Sequence, residues 1–416
     1  MLINMQSNYQ NFSSMSSYFD KTITGYEDSK IKEIGSYVFY NCADLTTISF
    51  PNATNIGSNA FALCSALTTV SFPSVITIGD YAFYRCFLLT TVSIPNATSI
   101  GAYAFSSCSA LTTASFSNVT TVGSNAFYNC SALTTVSFPN ITSIENSTFA
   151  YCTSLTTVSI PNVTSIGNYA FYRCSLLTAA SFSNATSIGA YAFHSCRSLT
   201  TANFSKVTYI GNFAFQSCTS LTTVSFPNVT TVGNNAFYYC SLLTTISFPN
   251  ITNIESSTFA YCTSLTTISF PNVTNIGTYA FYSCRSLTTA SFSNVTTICS
   301  SAFAYCSALT TISFPSATTI GGRAFQYCST LATASFPNVT SIGNYAFRNC
   351  YNLLSFYLLG SSVPTLGTSA FYSTPIGGRT TSTGGVYGSI FVPSNLYNSY
   401  ITATNWSQFS NRIVSV

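Results

Sequence analysis

The sequence predicts a repeat solenoid of β-rich α/β type. About fifteen 22-residue coils stack with a parallel sheet on one face and single helical turns opposite. Three observations predict it. Cysteine recurs at 42, 64, 86, 108, 130, 152, 174, 196, 218, 240, 262, 284, 306, 328 and 350 without a slip in register. Written from each cysteine, the unit reads C-x-x-L-T-T-[VIA]-S-[FI]-[PS]-N-[VAI]-T-x-[IV]-G-x-x-A-F-x-x. A unit this short cannot bury its apolar side alone, whereas stacked units share one core.

Each element of the unit has a physical reading. In "LTTVSF" the second half alternates inward and outward as a strand does. The proline that usually follows (Pro51, Pro73, Pro95, Pro139, Pro161) cannot donate to a ladder, so it ends the strand and starts a bend. "NVTSIG" gives a second short extended piece with two apolar positions. "NYAFYRC" puts Ala, Phe and Cys at i, i+1 and i+4, which predicts a single inward-facing helical turn. Gly57, Gly79, Gly101 and Gly167 suit a tight corner, but Glu145, Glu255 and Cys299 share that slot, so it does not strictly require φ > 0. Seven inward side chains per coil, at about 1.5–3 kcal/mol for each large one, favour stacking before entropy is counted. Fifteen coils at roughly 4.8 Å each make a stack of roughly 70 Å.

Both ends depart from the pattern. Residues 1–30 are polar and read as an irregular N-terminal cap, 31–372 as the solenoid, and 373–416 as a C-terminal cap. In that last segment a degenerate sixteenth coil ends in Thr374 rather than Cys, and a Gly/Thr/Ser loop runs from Gly377 to Gly385. "GSIFVPSNLYNSYITATNWSQFSNRIVSV" then reads as strand, Ser394-capped helix and strand, with the single Trp406 covering the open end of the stack. A longer period also exists. The stretch from Phe138 to Cys174 returns 110 residues later at Phe248, carrying Glu145 onto Glu255.

Composition excludes several classes of function. Charged residues make up only 5% of the chain, against roughly 25% in an average globular protein. From 45 to 350 there are three acids against seven bases, too few for a stripe that tracks phosphates, so nucleic acid is not an expected partner. Thr, Ser or Asn interrupts every apolar run well before 18 residues, so no membrane span is expected. The opening "MLINMQSNYQNFSSMSSYFDK" lacks a basic n-region and an apolar h-region, so the chain as written shows no standard secretory signal.

The repeated I-G-x-x-A-F-x-x-C element, over residues 31–372, resembles the leucine-rich repeats of the BspA-like (Treponema pallidum-type) family. The C-terminal "GSIFVPSNLYNSY" and "NWSQF" resemble the end segment of bacterial members. The resemblance implies a leucine-rich-repeat solenoid at the cell surface or outside the cell, used in adhesion to host matrix proteins, host cells or other microbes. It carries over no catalytic residues and no cofactor.

Zinc needs clustered ligands such as C-x2-4-C pairs, and no two cysteines lie closer in sequence than Cys299 and Cys306. Stacked equivalents with parallel Cα–Cβ vectors suit disulfide geometry poorly, so the cysteines read as a buried ladder of small hydrophobes. His194 stands alone at a surface slot, without a nucleophile and orienting acid in reach, and no enzymatic activity is expected. The N-x-T sequons, such as Asn52, Asn96, Asn118 and Asn162, follow from the turn and become glycan acceptors only in a eukaryotic secretory pathway. The ladders Thr47, Thr69, Thr91 and Ser49, Ser71, Ser93 resemble ice-binding β-solenoids, but solvated β-formers on a sheet are the preferred reading.

A second surface varies from unit to unit, at the two slots after each Phe and the one after each Cys. It carries Tyr84, Arg85, Tyr128, Tyr151, Tyr172, Arg173, Arg197, Tyr238, Tyr239, Tyr261, Tyr282, Arg285, Tyr305 and Tyr327. Tyr and Arg are enriched at binding hot spots, so this edge is the candidate contact for a protein or glycan partner. The alternative is a purely structural spacer, such as part of a phage fibre or cell-surface stalk.

Overall fold

The computed structural model describes residues 11–12, 21–378 and 387–416. These fall into two compact units, Met1–Leu199 and Thr200–Val416, each a parallel β-solenoid. Most of the expected N-terminal cap and of the Gly377–Gly385 loop lies outside the described residues.

Every coil contributes two short strands. In the N-terminal unit, three-residue strands such as Thr47–Ser49 and Thr69–Ser71 pair in parallel with a shift of one unit: Thr47 faces Thr69, Ile48 faces Val70 and Ser49 faces Ser71. Two-residue strands such as Asn55–Ile56 and Thr77–Ile78 form a second ladder around the corner. Pairing reaches upstream of residue 31, since Gly25–Glu27 joins Thr47–Ser49 and Asn11–Phe12 joins Glu33–Ile34. The C-terminal unit repeats the scheme, ending in a six-stranded sheet from Thr289–Ser291 to Ser389–Val392 and Ile413–Ser415.

The core is the one the period predicts. In the Cys86 coil Leu67, Val70, Phe72, Val75, Ile78, Ala82, Phe83 and Cys86 are all buried. The phenylalanines of the A-F slot stack almost parallel, with ring centres 5.2 Å apart for Phe61 and Phe83, 5.1 Å for Phe83 and Phe105, and 5.2 Å for Phe215 and Phe237. Such ring pairs are worth about 0.5–1.5 kcal/mol beyond their buried area.

The expected helical turn is absent from the A-F-x-x-C segment. The chain instead makes successive tight turns, with left-handed residues four apart: Tyr81 at φ 57° and Arg85 at 58°, Tyr169 at 57° and Arg173 at 59°. The reason lies in where the amides go. The Tyr81, Phe83 and Arg85 amides donate to the Ala102, Ala104 and Ser106 carbonyls of the next coil, respectively. Ala82, Tyr84 and Cys86 donate three residues back within their own turn. An α-helix would send every amide inward along its own axis and leave the next coil unattached.

Side chains add further ties between coils. The Cys64, Cys86 and Cys152 thiols donate to the carbonyls of Phe39, Phe61 and Phe127, one coil back, at 3.0, 3.2 and 3.2 Å. Thr68 and Thr90 hydroxyls donate to Thr46 and Thr68 carbonyls. The sequon asparagines belong to the same scheme: Asn96 and Asn162 amides donate to Pro73 and Pro139 carbonyls at 2.8 and 2.7 Å.

Two features interrupt the ladders. The corner glycines do not sit at positive φ, but a Cβ on Gly123 would lie 2.4 Å from the Ala102 amide nitrogen, so the slot is set by close approach of backbones. Gly123 and Gly167 donate across this gap to Ile100 and Ile144 at 2.8 and 2.7 Å, whereas neither Glu145 nor Glu255 makes that bond. Parallel pairing of the two-residue strands accordingly stops between Thr121–Val122 and Ser143–Ile144, and again between Thr231–Val232 and Asn253–Ile254. Cys299 is small enough to keep the bond, at 2.8 Å to Ile276. The three-residue strands also part within each unit, after Val92 and Val158 and after Val224 and Ile268. Each of these central residues is only half-buried.

The C-terminal end closes on Trp406, which is buried and donates its Nε1–H to the Pro364 carbonyl at 2.7 Å. Thr374 takes the place of cysteine in the last coil and donates to the Phe371 carbonyl at 2.7 Å. Ser394 does not cap a helix as expected. Helix Tyr397–Thr402 begins after Leu396 with no side-chain cap, and the Ser394 hydroxyl donates instead to Val416 at 2.9 Å.

All sixteen cysteines are free thiols; fifteen are buried and Cys299 is half-buried. Burial pushes Cys64, Cys130 and Cys262 up to about 12 from 9.0. At pH 8, a thiol-reactive dye should therefore modify Cys299 alone in the native protein and all sixteen after unfolding. Several reactive native thiols would contradict the buried ladder. Because the folded values lie above the unfolded ones, the stabilising contribution is complete below pH 9 and is lost as pH rises toward about 12. The urea midpoint should fall across that window.

Candidate functional site

The turn segment that places Phe and Cys inward leaves four slots outside: the second residue after the corner glycine, the pair before cysteine, and the residue after it. In the N-terminal unit the predicted residues gather along this edge. Tyr128, Tyr151 and Tyr172 form an edge-to-face zigzag with ring centres 5.3 Å apart at both steps. Arg173 lies over Tyr151 and Tyr172, 5.5 Å from each ring centre. Arg85 similarly covers Tyr84 at 5.1 Å. The zigzag arises because the tyrosines alternate between the two slots before cysteine, so successive rings are offset rather than eclipsed.

The C-terminal unit repeats the arrangement. Tyr238, Tyr261 and Tyr282 are again 5.3 Å apart at each step, then Tyr305 follows at 5.2 Å and Tyr327 at 4.6 Å. Tyr239 sits 6.0 Å from Tyr261. Arg197 and Arg285 stand exposed just past their cysteines. Arg285 makes no ring or ion-pair contact among the described residues, so it lies outside the cluster.

Other members were not anticipated. Tyr169 meets Tyr172 edge-on at 5.6 Å and stacks on Tyr191 at 4.7 Å; Tyr279 meets Tyr282 at 5.5 Å. They occupy the slot after the corner glycine, where Tyr alternates with Asn and Ser. That variability is the signal that marks the column. His194 is half-buried rather than fully on the surface and stacks on Tyr172 at 4.9 Å. Burial, then the nearby Arg173 charge, lowers its pKa and keeps it neutral at pH 7. Its Nδ1 lies 3.0 Å from the Ser195 hydroxyl. The charge that acts on it is a cation, the wrong sign to stabilise an imidazolium, so the pair lacks the third group of a nucleophilic triad. Among the described residues no three His, Cys, Asp or Glu side chains are grouped to hold a metal, and no helix is long and apolar enough to cross a membrane.

Backbone conformation distinguishes these positions from ordinary surface. Arg85, Tyr151, Arg173, Tyr239, Tyr261, Tyr305 and Tyr327 all have φ between 58° and 64°. Left-handed backbone costs most L-residues about 1–2 kcal/mol and Asn less. Asn41, Asn129 and Asn349 occupy the same slot in other coils, so the fold accepts the less strained residue there.

Coils in parallel register, a shared Phe–Cys core and a variable outer edge define a leucine-rich-repeat solenoid. The family model for the BspA type leucine rich repeat region matches residues 32–156, 142–265, 186–309 and 252–377, and the chain belongs to that family. Among solved structures, it is similar to a leucine-rich repeat protein from Bacteroides ovatus, with 30% identity over 73% of this chain and 82% of that one and a TM-score of 0.67. It is also similar to a leucine rich cell surface protein from Faecalibacterium prausnitzii (28% identity, 81% and 83% covered, TM-score 0.37). The leucine rich repeat protein of T. pallidum matches over 38% of this chain and 79% of that one, at 26% identity and a TM-score of 0.36. No curated protein matches the chain.

Replacing Tyr239, which is half-exposed at φ 61°, by Asn should raise stability by about 0.5–1 kcal/mol through relief of left-handed strain. Chemical denaturation of Tyr239→Asn measures it. A loss of stability would mean that the ring itself supports the fold.

Proposed function

We propose that this chain is a non-enzymatic, adhesin-like binding protein of the cell surface or extracellular space. Its tyrosine–arginine turn edge contacts a protein or glycan partner. The observation that carries the reading is the combination of strain and exposure at one slot. Tyr and Arg stand in left-handed backbone where the same chain elsewhere uses small polar Asn or Ser and, at Leu63, a leucine, and their rings and guanidinium groups form a connected band. Strained residues at a surface point to a use other than folding. Large, amphipathic rings with few rotatable bonds and stacked guanidinium groups are suited to recognition at low entropic cost.

Membership of a repeat family whose fold offers long lateral surfaces supports a binding role, and no chemistry within the band supports a catalytic one. Ice binding fits less well, because the Thr/Ser strand face is interrupted within each unit instead of forming one flat lattice. A structural spacer would have no need of the strained tyrosines.

The test combines Tyr172→Ser, Arg173→Ser, Tyr238→Ser and Tyr239→Ser in one variant. Wild-type and variant protein are passed over arrays of purified matrix proteins and of glycans. The wild type should bind at least one member, and the variant should lose that binding while its circular dichroism stays unchanged. Equal binding by both proteins would discard the edge as the contact. No binding by the wild type would favour the spacer.

A further inference from the structure

The C-terminal unit has an unbalanced charge. From Thr200 to Val416, Lys206, Arg285, Arg323, Arg348, Arg379 and Arg412 face a single carboxylate, Glu255. Two of these arginines converge on one ring. Arg323 and Arg348 each place Cζ 5.4 Å from the centre of Tyr345, and Arg348 also lies 5.2 Å from Tyr372. The result is a column Arg323–Tyr345–Arg348–Tyr372 along the turn edge of the last coils. It starts in the coil that carries Tyr327, the last ring of the tyrosine band, and does not rest on the reading given to that band.

Neither arginine forms an ion pair among the described residues. Arg348 Nε is buried without a hydrogen-bond partner, an orphan donor of a kind that folded proteins rarely leave unexplained. Glu255 belongs to a coil three earlier than that of Arg323, roughly 14 Å along the stack at about 4.8 Å per coil, beyond the reach of unscreened attraction in physiological salt. Two guanidinium groups held beside one ring repel each other, and no carboxylate among the described residues pairs with either to offset that.

The column opens onto a cleft. Tyr372, more than half exposed, lines a cavity of about 620 Å³ together with Gly367, Thr368, Ser369, Asn405 and Gln408. Ring faces beside hydroxyl and amide groups suit a sugar, whose C–H face stacks on an aromatic ring while its hydroxyls hydrogen-bond. The guanidinium forks match carboxylate or sulfate in bidentate geometry.

We propose that this end of the chain binds an acidic polysaccharide, with Arg323 and Arg348 pairing its anionic groups and Tyr345 and Tyr372 stacking its sugar rings. An acidic peptide is the competing ligand class. It is disfavoured because the apolar lining residues Leu366, Ala370 and Phe371 are buried in the coil, which leaves half-buried Phe409 as the one apolar side chain offered beside Tyr372 and the hydroxyl and amide groups.

The probes are heparin, which carries sulfate and carboxylate, polygalacturonate, which carries carboxylate only, and poly-L-glutamate. Binding to the full chain is measured by calorimetry at two salt concentrations. The wild type should bind at least one of the two polysaccharides more tightly than poly-L-glutamate. Which polysaccharide it prefers identifies sulfate or carboxylate as the anion. Arg323→Gln with Arg348→Gln should weaken that binding about tenfold or more, as loss of charge-assisted hydrogen bonds predicts. Arg285→Gln should leave it unchanged. If the double variant does not fold, Arg323→Gln alone, at an exposed site, should still weaken binding several-fold. The proposal is overturned if no polysaccharide binds, if poly-L-glutamate binds as well, or if Arg285→Gln weakens binding as much.

Discussion

Everything in this chain depends on how each coil satisfies the backbone of the coil behind it. The clearest instance is the buried thiol. At each corner the phenylalanine carbonyl accepts the amide of its own cysteine and, from the next coil, that coil's thiol: Phe61 accepts from the Cys64 amide at 3.2 Å and from the Cys86 thiol at 3.2 Å. A carbonyl buried among aromatic rings has no water to turn to, and leaving its second lone pair unmet has a cost. Cysteine meets the need with an apolar body that packs like alanine and a weak donor that reaches back one coil. Where the last coil lacks a cysteine, the Thr374 hydroxyl donates within its own coil to the Phe371 carbonyl and not to the coil behind.

The same demand explains the unusual composition. Surface threonines and asparagines donate to carbonyls one coil back, so the hydroxyl- and amide-rich sequence belongs to the stacking machinery as much as to the solvated surface. Charges are scarce because a column of like charges at coil spacing would repel; Asp80, which accepts the Ala102 amide of the next coil at 2.7 Å, is an isolated carboxylate in such a ladder. Glu145 and Glu255 show the effect of an exception. Each breaks a backbone rung at the glycine slot and ends a run of paired strands, and the 110-residue duplication copied that break with the rest of the block.

The period made the coil, the buried positions and the inward cysteines readable directly, because each core slot holds one chemical type in nearly every copy. It could not reveal what depends on hydrogen-bond direction. Ala, Phe and Cys at i, i+1 and i+4 fit a helical turn, yet the amides of Tyr81, Phe83 and Arg85 are spent on the next coil, which requires left-handed residues at fixed slots. Ser394 looked like a helix cap by residue type, but the nearby Val416 carbonyl takes its hydroxyl. Of the candidate edge, the residues before cysteine were identifiable from variation alone. The slot of Tyr169, Tyr191 and Tyr279 varies in the same way, but only the turn geometry shows that it joins the edge.

That geometry also separates what the fold needs from what the surface offers. Left-handed turns are compulsory in every coil, since without them the edge amides would not reach the next coil. The identity of the residue there is free, and Asn would reduce the strain. Where the chain places Tyr or Arg instead, it accepts about 1 kcal/mol per position that the Phe stack and the buried ladder easily offset. A uniform core leaves the identity of an edge residue free of the packing that fixes the interior. On the proposed reading, the strained tyrosines and arginines are the positions at which contacts outside the chain have most to gain.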